Sequence, residues 1–191
     1  MGMNAKAVQA MREFLEALGL DLEREGMGET PERVAEMYGH LFSGMGRNTG
    51  DIWGKTFDAG SAEEGIVAVR HIPFYSICEH HLVPFFGEVH IAYLPAPGGV
   101  AGFSKFAELV ELVARRPQLQ ERMTFQIAEA IARDLRALGV LVVVEARQLC
   151  MMMLEPATHR SDTVTNVALG KLREDSGLKA QAMAMLLPVD K

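Results

Sequence analysis

The chain has 191 residues, of which 49% are hydrophobic and 23% charged, with a formal net charge of −6. This composition is typical of one soluble globular domain with room for an appendage. The acidic balance argues against a general nucleic-acid-binding protein, although a local basic pocket for a small anion is compatible with it. We find no apolar run of the about 20 residues that cross a bilayer and no signal peptide, and we therefore predict a cytoplasmic protein without membrane or nucleic-acid partners.

The first 60 residues predict a helical arm followed by a linker. Apolar residues recur at helical spacing over residues 5–19. Thr30 and Pro31 indicate the start of a second helix, since threonine can cap free N–H groups and proline needs no donor at the first position. That helix should end at Gly44, and the Gly-, Asp- and Ser-rich residues 44–65 predict a loop. We expect the arm and linker over residues 1–60 and the main domain over residues 61–191.

The main domain shows strand and helix patterns in an α+β order. A strand pair rich in β-branched and aromatic residues is followed by two helices, the first capped by Ser104 and the second opened by Pro117. A second strand pair and a last helix complete the chain. The predicted ranges are 66–77 and 83–94 for the first strands, 104–115 and 117–138 for the helices, 140–151 and 163–169 for the second strands, and 174–186 for the last helix. This order predicts an antiparallel sheet with the helices on one face.

Two cysteines and a histidine carry a metal-binding pattern. Cys78 opens the turn Cys-Glu-His-His81 between the first two strands, and Cys150 is the second cysteine of the chain. Two thiolates and the imidazole of His81 form a zinc ligand set with a fourth position left for water, which is typical of catalytic zinc. Such a soft set also tolerates Fe(II). On spacing alone, unrelated buried thiols or a disulfide stay open as alternatives, although reduced cysteines are expected inside the cell.

Further motifs accompany these residues in a fixed order along the chain. They are Thr30-Pro-Glu-Arg-Val-Ala35, Cys78-Glu-His-His81-Leu, Phe86-Gly87, His90-Ile-Ala-Tyr93-Leu-Pro95, Gly102-Phe-Ser-Lys105, the run from Ala114 to Thr124, Cys150-Met151 and Thr163-Val-Thr165. Together they resemble the GTP cyclohydrolase I family, over about residues 28–172. The resemblance implies the tunnelling fold, in which small antiparallel sheets from several subunits assemble into a barrel. It also implies a homodecamer with active sites at the subunit interfaces.

The resemblance implies zinc-dependent hydrolysis of a purine ring. Zinc held by Cys78, His81 and Cys150 would activate water that attacks C8 of guanine, and ring opening would release formate. The product would be 7,8-dihydroneopterin triphosphate, an intermediate of pterin and tetrahydrofolate biosynthesis. The residues that match functional positions are His80 for proton transfer, Glu121 and Gln120 for the guanine edge, and Ser104 and Lys105 for the sugar and phosphates. Taken alone, His90 is interpreted as a core or interface histidine, and His71 and His159 as ordinary polar residues.

Several residues depart from the family pattern. Gln148 stands where the family has a second proton-transferring histidine, and glutamine cannot carry a proton back and forth. Leu154 and Glu108 replace arginines that bind the triphosphate, and Glu155 replaces a glycine. Four other residues could replace these arginines in binding the phosphates: Arg147, His159, Arg160 and Arg173.

Two alternatives to full conversion of GTP therefore stay open. One is a divergent cyclohydrolase of the same fold that acts on a less phosphorylated purine or another heterocycle, or that stops at the ring-opened intermediate. The other is a non-catalytic zinc-containing binding protein. The open ligand set and His80 argue against the second alternative, because a structural zinc site would be expected to gain a fourth protein ligand.

Overall fold

The computed structural model describes residues 5–57, 65–97, 99–154 and 160–187. Its contacts divide the chain into two compact units, Met1–Ser43 and Gly44–Lys191. The predicted domain boundary near residue 60 stays a prediction, because residues 58–64 lie outside the described ranges. Among the residues that the structure describes, no helix combines the length and apolar character needed to cross a membrane.

The first unit is a pair of helices. Helix α1 spans Ala5–Ala17 and helix α2 spans Thr30–Leu41. The guanidinium of Arg12 on α1 donates a hydrogen bond of 3.0 Å to the carbonyl oxygen of Gly28, just before α2. Glu29 is the N-cap residue and its side chain makes no capping bond, so the predicted cap at Thr30 is wrong. Pro31 lies in the first turn as predicted, where its missing N–H leaves no bond unmade.

The second unit is built on a five-stranded sheet. Its strands are β1 (Val67–Cys78), β2 (Pro84–Leu94), β3 (Pro117–Gln118), β4 (Gly139–Gln148) and β5 (Thr163–Gly170). The order across the sheet is β3-β1-β2-β4-β5. All neighbouring strands are antiparallel except β1 and β3, which are parallel over two residue pairs. The four long strands were predicted from the sequence, whereas the short β3 was not.

Helices cover the two faces of this sheet unequally. They are α3 (Phe103–Ala114), α4 (Gln120–Asp134), α5 (Leu149–Leu154), α6 (Lys171–Glu174) and α7 (Ser176–Leu186). On β2, Val89, Ile91 and Tyr93 join the core formed with α3 and α4, whereas Ala92 and Leu94 join a smaller core with α6 and α7. Because alternate residues of a strand face opposite sides, α3 and α4 share one face and the C-terminal helices lie on the other. The predicted α+β class, an antiparallel sheet with two helices on one face after a helical arm, is confirmed.

Three local predictions need correction. Gly102, in an extended conformation, is the N-cap residue of α3, so Ser104 lies inside the helix and is not its cap. Pro117 does not open a helix but pairs in β3 at the sheet edge, where a residue without a backbone donor is tolerated. The strand predicted to reach residue 151 ends at Gln148, and Cys150 lies on the short helix α5. A short apolar run does not distinguish strand from buried helix by periodicity, which explains this last error.

Candidate metal centre and active site

The structure brings the three predicted metal ligands together. Cys78 is the last residue of β1, His81 lies in the turn that follows, and Cys150 is the second residue of α5. One ligand atom from each residue lies within 4.8 Å of the other two, and both cysteines are free thiols. A zinc ion lies about 2.0–2.3 Å from nitrogen and sulfur ligands. Small side-chain movements would therefore complete three-ligand coordination by two thiols and an imidazole.

The tight turn after β1 fixes the spacing between Cys78 and His81. The carbonyl oxygen of Cys78 accepts a hydrogen bond of 2.9 Å from the N–H of Leu82, and the Cys78 N–H donates one of 3.0 Å to Val83. Leu82 itself has φ 53°, a left-handed conformation that reverses the chain. The ring of His80 is exposed and lies 6.2 Å from the ring of His81, nearly perpendicular to it. The turn thus holds a nitrogen of His81 within reach of the two cysteines and leaves His80 exposed beside it.

Electrostatics favours the neutral thiol at Cys150 in the protein by itself. Burial raises the pKa of the Cys150 thiol, and the nearby sulfur of Cys78 raises it further. A divalent cation reverses this preference, because a coordinating thiol is deprotonated. A divalent cation bound by the two cysteines would thus compensate the charge of two adjacent thiolates.

Gln148 is held through the amide of Gln120. The Nε2 of Gln148 donates to Oε1 of Gln120 at 2.8 Å. Gln120 is 4% exposed, and its own Nε2 donates to the carbonyl oxygens of Val144 and Thr163, both at 3.0 Å. The Thr163 hydroxyl donates to the same Oε1 at 2.5 Å. The amide of Gln120 is thus fully used within the protein, which fits a role in orienting Gln148; contact with guanine stays a prediction for Gln120. Thr163 has a part in this site that the sequence did not reveal.

Glu121 is available to a ligand. It is the second residue of α4 and is exposed, and it makes no hydrogen bond or ion pair with the residues that the structure describes. Its neighbours on the helix are both engaged, Gln120 with β4 and β5 and Arg122 with Glu79. The backbone of Glu121 is therefore fixed by its neighbours while its carboxylate is unoccupied by any residue that the structure describes. Such a carboxylate can accept two hydrogen bonds from a planar ligand that presents two N–H groups on one edge.

The two predicted sugar and phosphate contacts lie at the start of α3. Ser104 is exposed, and Lys105 is engaged by the residue one turn further along. The Nζ of Lys105 lies 2.8 and 3.0 Å from the two carboxylate oxygens of Glu108. No hydrogen bond or ion pair among the described residues links Ser104 or Lys105 to the metal ligands. The acidic residue that departs from the family pattern therefore neutralises the lysine predicted to bind phosphate.

The other departures fall at the end of α5. Leu154 ends this helix with 63% of its surface exposed. Glu155 and His159 lie outside the described residues. Among the arginines considered as replacements, Arg147, Arg160 and Arg173 are all exposed.

A second cluster of ligand-type side chains, His71, Glu88 and His90, lies on β1 and β2. His71 has φ 57° at a bulge in the pairing of these strands, and its Nδ1 lies 2.7 Å from Oε2 of Glu88. His90 is buried, in agreement with its interpretation as a core histidine, and burial lowers its pKa. The backbone N–H of His71 points to Nδ1 of His90 at 3.4 Å, so the proton of the neutral ring lies on Nε2. The Arg70 guanidinium lies 3.0 Å from Nε2 of His71, and its positive charge would repel a metal ion at this position. This cluster fits a metal poorly.

Comparison with known proteins places this chain in a family. The model of the GTP cyclohydrolase I family matches residues 7–187. The chain belongs to this family. It is 48% identical over 181 residues to "GTP cyclohydrolase 1" of Clostridioides difficile strain 630, with 95% of each chain covered. It is 46% identical over 186 residues to the protein of the same name from Streptococcus suis strain 05ZYH33, covering 97% of this chain and 98% of the relative. The relative of that name from Caldanaerobacter subterraneus is 46% identical over 181 residues, 95% of each chain. The resemblance noted in the sequence is confirmed, and it extends into the helical arm.

Proposed function

We propose that this chain is a GTP cyclohydrolase that opens the guanine imidazole ring at C8, releases formate and forms 7,8-dihydroneopterin triphosphate. The observation that carries the proposal is the meeting of Cys78, His81 and Cys150 at one point of a chain that belongs to this family. Cys78 and His81 come from the end of a strand and the turn directly after it, whereas Cys150 comes from a helix much further along the chain. The activity would serve pterin and tetrahydrofolate biosynthesis.

The three ligands would hold zinc, and Fe(II) is the alternative for the same soft set. Such an ion would supply an activated water, since it lowers the pKa of a coordinated water towards about 7. The remaining steps belong to the side chains. His80 is exposed beside the ligands and would move a proton to or from the opening ring. Glu121 would accept hydrogen bonds from guanine N1–H and the 2-amino group, an edge that adenine does not present.

An oligomeric assembly is part of the proposal, with a homodecamer and interface active sites expected from the family. The support in this chain is a set of large apolar side chains left on the surface of the second unit. They are Tyr75, Phe103, Phe125, Met153, Leu154 and Val164, each at least 46% exposed. Burial of these side chains in subunit interfaces would remove their apolar surface from water. We place the enzyme in the cytoplasm, where thiols stay reduced and available to a metal.

Two observations favour a second candidate, a cyclohydrolase for a less phosphorylated purine or one that stops after ring opening. Lys105 is neutralised by Glu108, which weakens the predicted phosphate contact. Gln148, which replaces a histidine, cannot shuttle a proton for the later steps. The first feature concerns phosphate binding and the second concerns steps after ring opening, and neither disturbs the metal ligands.

Turnover of GTP, GMP and guanosine by the metal-replete protein tests these proposals. Formate reports ring opening and pterin fluorescence reports ring closure, so the two are followed separately. We expect both signals with GTP. Equal or better use of guanosine would overturn the triphosphate assignment, and formate without fluorescence would establish the arrested reaction. If the metal-loaded oligomer releases no formate from any purine nucleoside or nucleotide, the chain is a non-catalytic binding protein.

A further inference from the structure

The turn that carries the metal ligands is tied to β3 and to the start of α4 by three contacts. Cys78 pairs with Gln118 in the parallel β1–β3 ladder, and the Glu79 N–H donates to the Gln118 carbonyl oxygen at 3.0 Å. The third contact joins side chains: both terminal nitrogens of Arg122 bind the Glu79 carboxylate, with Nη1 on Oε2 and Nη2 on Oε1, the latter at 2.9 Å. Such a two-point ion pair fixes both the distance and the relative orientation of the Arg122 and Glu79 side chains.

This pair connects the two parts of the proposed active site. Glu79 lies between the ligand Cys78 and the proton-transfer residue His80, and Arg122 follows Glu121 on the helix. The main-chain contacts hold Cys78 and Glu79 against β3, whereas the side-chain pair links Glu79 to α4 itself. We infer that Arg122 is a positioning residue, an inference that rests on the proposed function. Through Glu79, Arg122 sets the distance between His80, which would move the proton, and Glu121, which would hold the guanine.

Arg122 also changes the charge that the substrate meets. Glu121 gives the guanine side of the site a negative charge, and an unpaired Glu79 carboxylate would add to that charge. The paired guanidinium cancels it without contacting the substrate. A direct phosphate contact by Arg122 is the competing interpretation, and it requires the guanidinium to leave a carboxylate to which both of its terminal nitrogens are bound.

Four variants of the full-length, metal-loaded protein separate these interpretations: R122Q, R122K, E79A and the double variant R122Q/E79A. For positioning, we expect R122Q to lower kcat by about tenfold or more with both GTP and guanosine, because misplacement of reacting groups acts on the chemical step. R122K should have a kcat little higher than that of R122Q, since an ammonium keeps the positive charge but cannot bind both carboxylate oxygens as the guanidinium does. In the E79A background, R122Q should lower kcat by less than about threefold, because the effects of two residues that act as one unit are not additive.

The control variant is R115Q. Arg115 also places two nitrogens on a carboxylate, that of Glu111 on α3, at 3.1 and 3.0 Å. Among the described residues, no hydrogen bond or ion pair links Arg115 to the ligand turn. Its kcat should stay at the wild-type value. Metal content is measured in every variant and the rates are expressed per bound metal, so that loss of metal is not mistaken for loss of position.

Several outcomes would overturn the inference. An R122Q effect confined to KM for GTP and absent with guanosine would make Arg122 a phosphate ligand. Additive effects of R122Q and E79A would show that the pair does not act as a unit. Hydrogen exchange of the backbone amides of residues 79–82 gives a readout independent of catalysis, and R122Q should accelerate it while R115Q does not. If the wild type proves inactive but this acceleration is seen, the proposed function fails and the positioning contact stands; unchanged exchange refutes the contact itself.

Discussion

Replacement of Glu108 tests how the chain treats the substrate triphosphate. In the structure, the Glu108 carboxylate lies 2.8 and 3.0 Å from the ammonium of Lys105, with side chains 50% and 33% exposed. An exposed pair of this kind contributes about 0–1 kcal/mol to stability, so its loss should leave folding intact. Loss of the Glu108 carboxylate should have a larger effect on the binding of an anion, since Glu108 both neutralises Lys105 and repels the phosphates.

The size of that effect follows from the geometry. A phosphate oxygen on the far side of the ammonium would lie about 6 Å from the Glu108 carboxylate, where one pair of unit charges interacts by about 0.7 kcal/mol in water. A triphosphate carries several charges, although salt screens the more distant ones. We therefore expect E108Q to lower KM for GTP by about threefold to tenfold, since 1.4 kcal/mol corresponds to about a factor of ten. E108R should lower it further.

The assay is steady-state formate release with GTP, GMP and guanosine at two ionic strengths. The fall in KM caused by E108Q should be largest for GTP, intermediate for GMP and absent for guanosine, and it should become smaller as salt is added. E111Q is the matched control: it lies on the same helix and frees Arg115 rather than Lys105. An unchanged KM for GTP, or an equal fall for guanosine, would refute the reasoning that Glu108 governs a phosphate subsite.

Three further predictions concern the metal, the late steps and stability. Elemental analysis should find about one transition-metal ion per chain, lost in C150S but retained in H71N, because the second histidine cluster fits a metal poorly; two ions per chain would contradict this. Q148H should increase pterin fluorescence relative to formate, and no gain would count against an arrested reaction. D134N removes a carboxylate that accepts hydrogen bonds from three side chains, and urea unfolding at pH 7 should show a loss of about 1–3 kcal/mol. Burial raises the pKa of Asp134, but these hydrogen bonds outweigh it and the pKa lies below its usual value. The advantage of the wild type should therefore be present above the ordinary carboxyl pKa and disappear as pH falls through the folded-state value; an equal deficit under strongly acidic conditions would exclude this origin.

The sequence by itself determined the elements with strong periodic or compositional patterns. The four long strands and helices α1, α3 and α7 follow from such patterns, and local chemistry alone identified Cys78, His81 and Cys150 as ligand types. The errors fall where a pattern is too short to decide. Pro117 fits both a helix start and an edge strand, and only its pairing beside β1 selects the strand. The apolar run around Cys150 fits both strand and helix, and packing against the rest of the domain decided it.

Only the tertiary structure decided which partner each polar side chain has. The amide of Gln120 is used by β4 and β5, Lys105 is paired with Glu108, and Arg122 reaches Glu79 across 43 positions of the chain. Side-chain hydrogen bonds depend on distances of about 3 Å between residues that the chain separates widely, and residue type does not encode those distances. The sequence thus indicated which residues could perform the chemistry, whereas folding determined which of them stay available to a substrate.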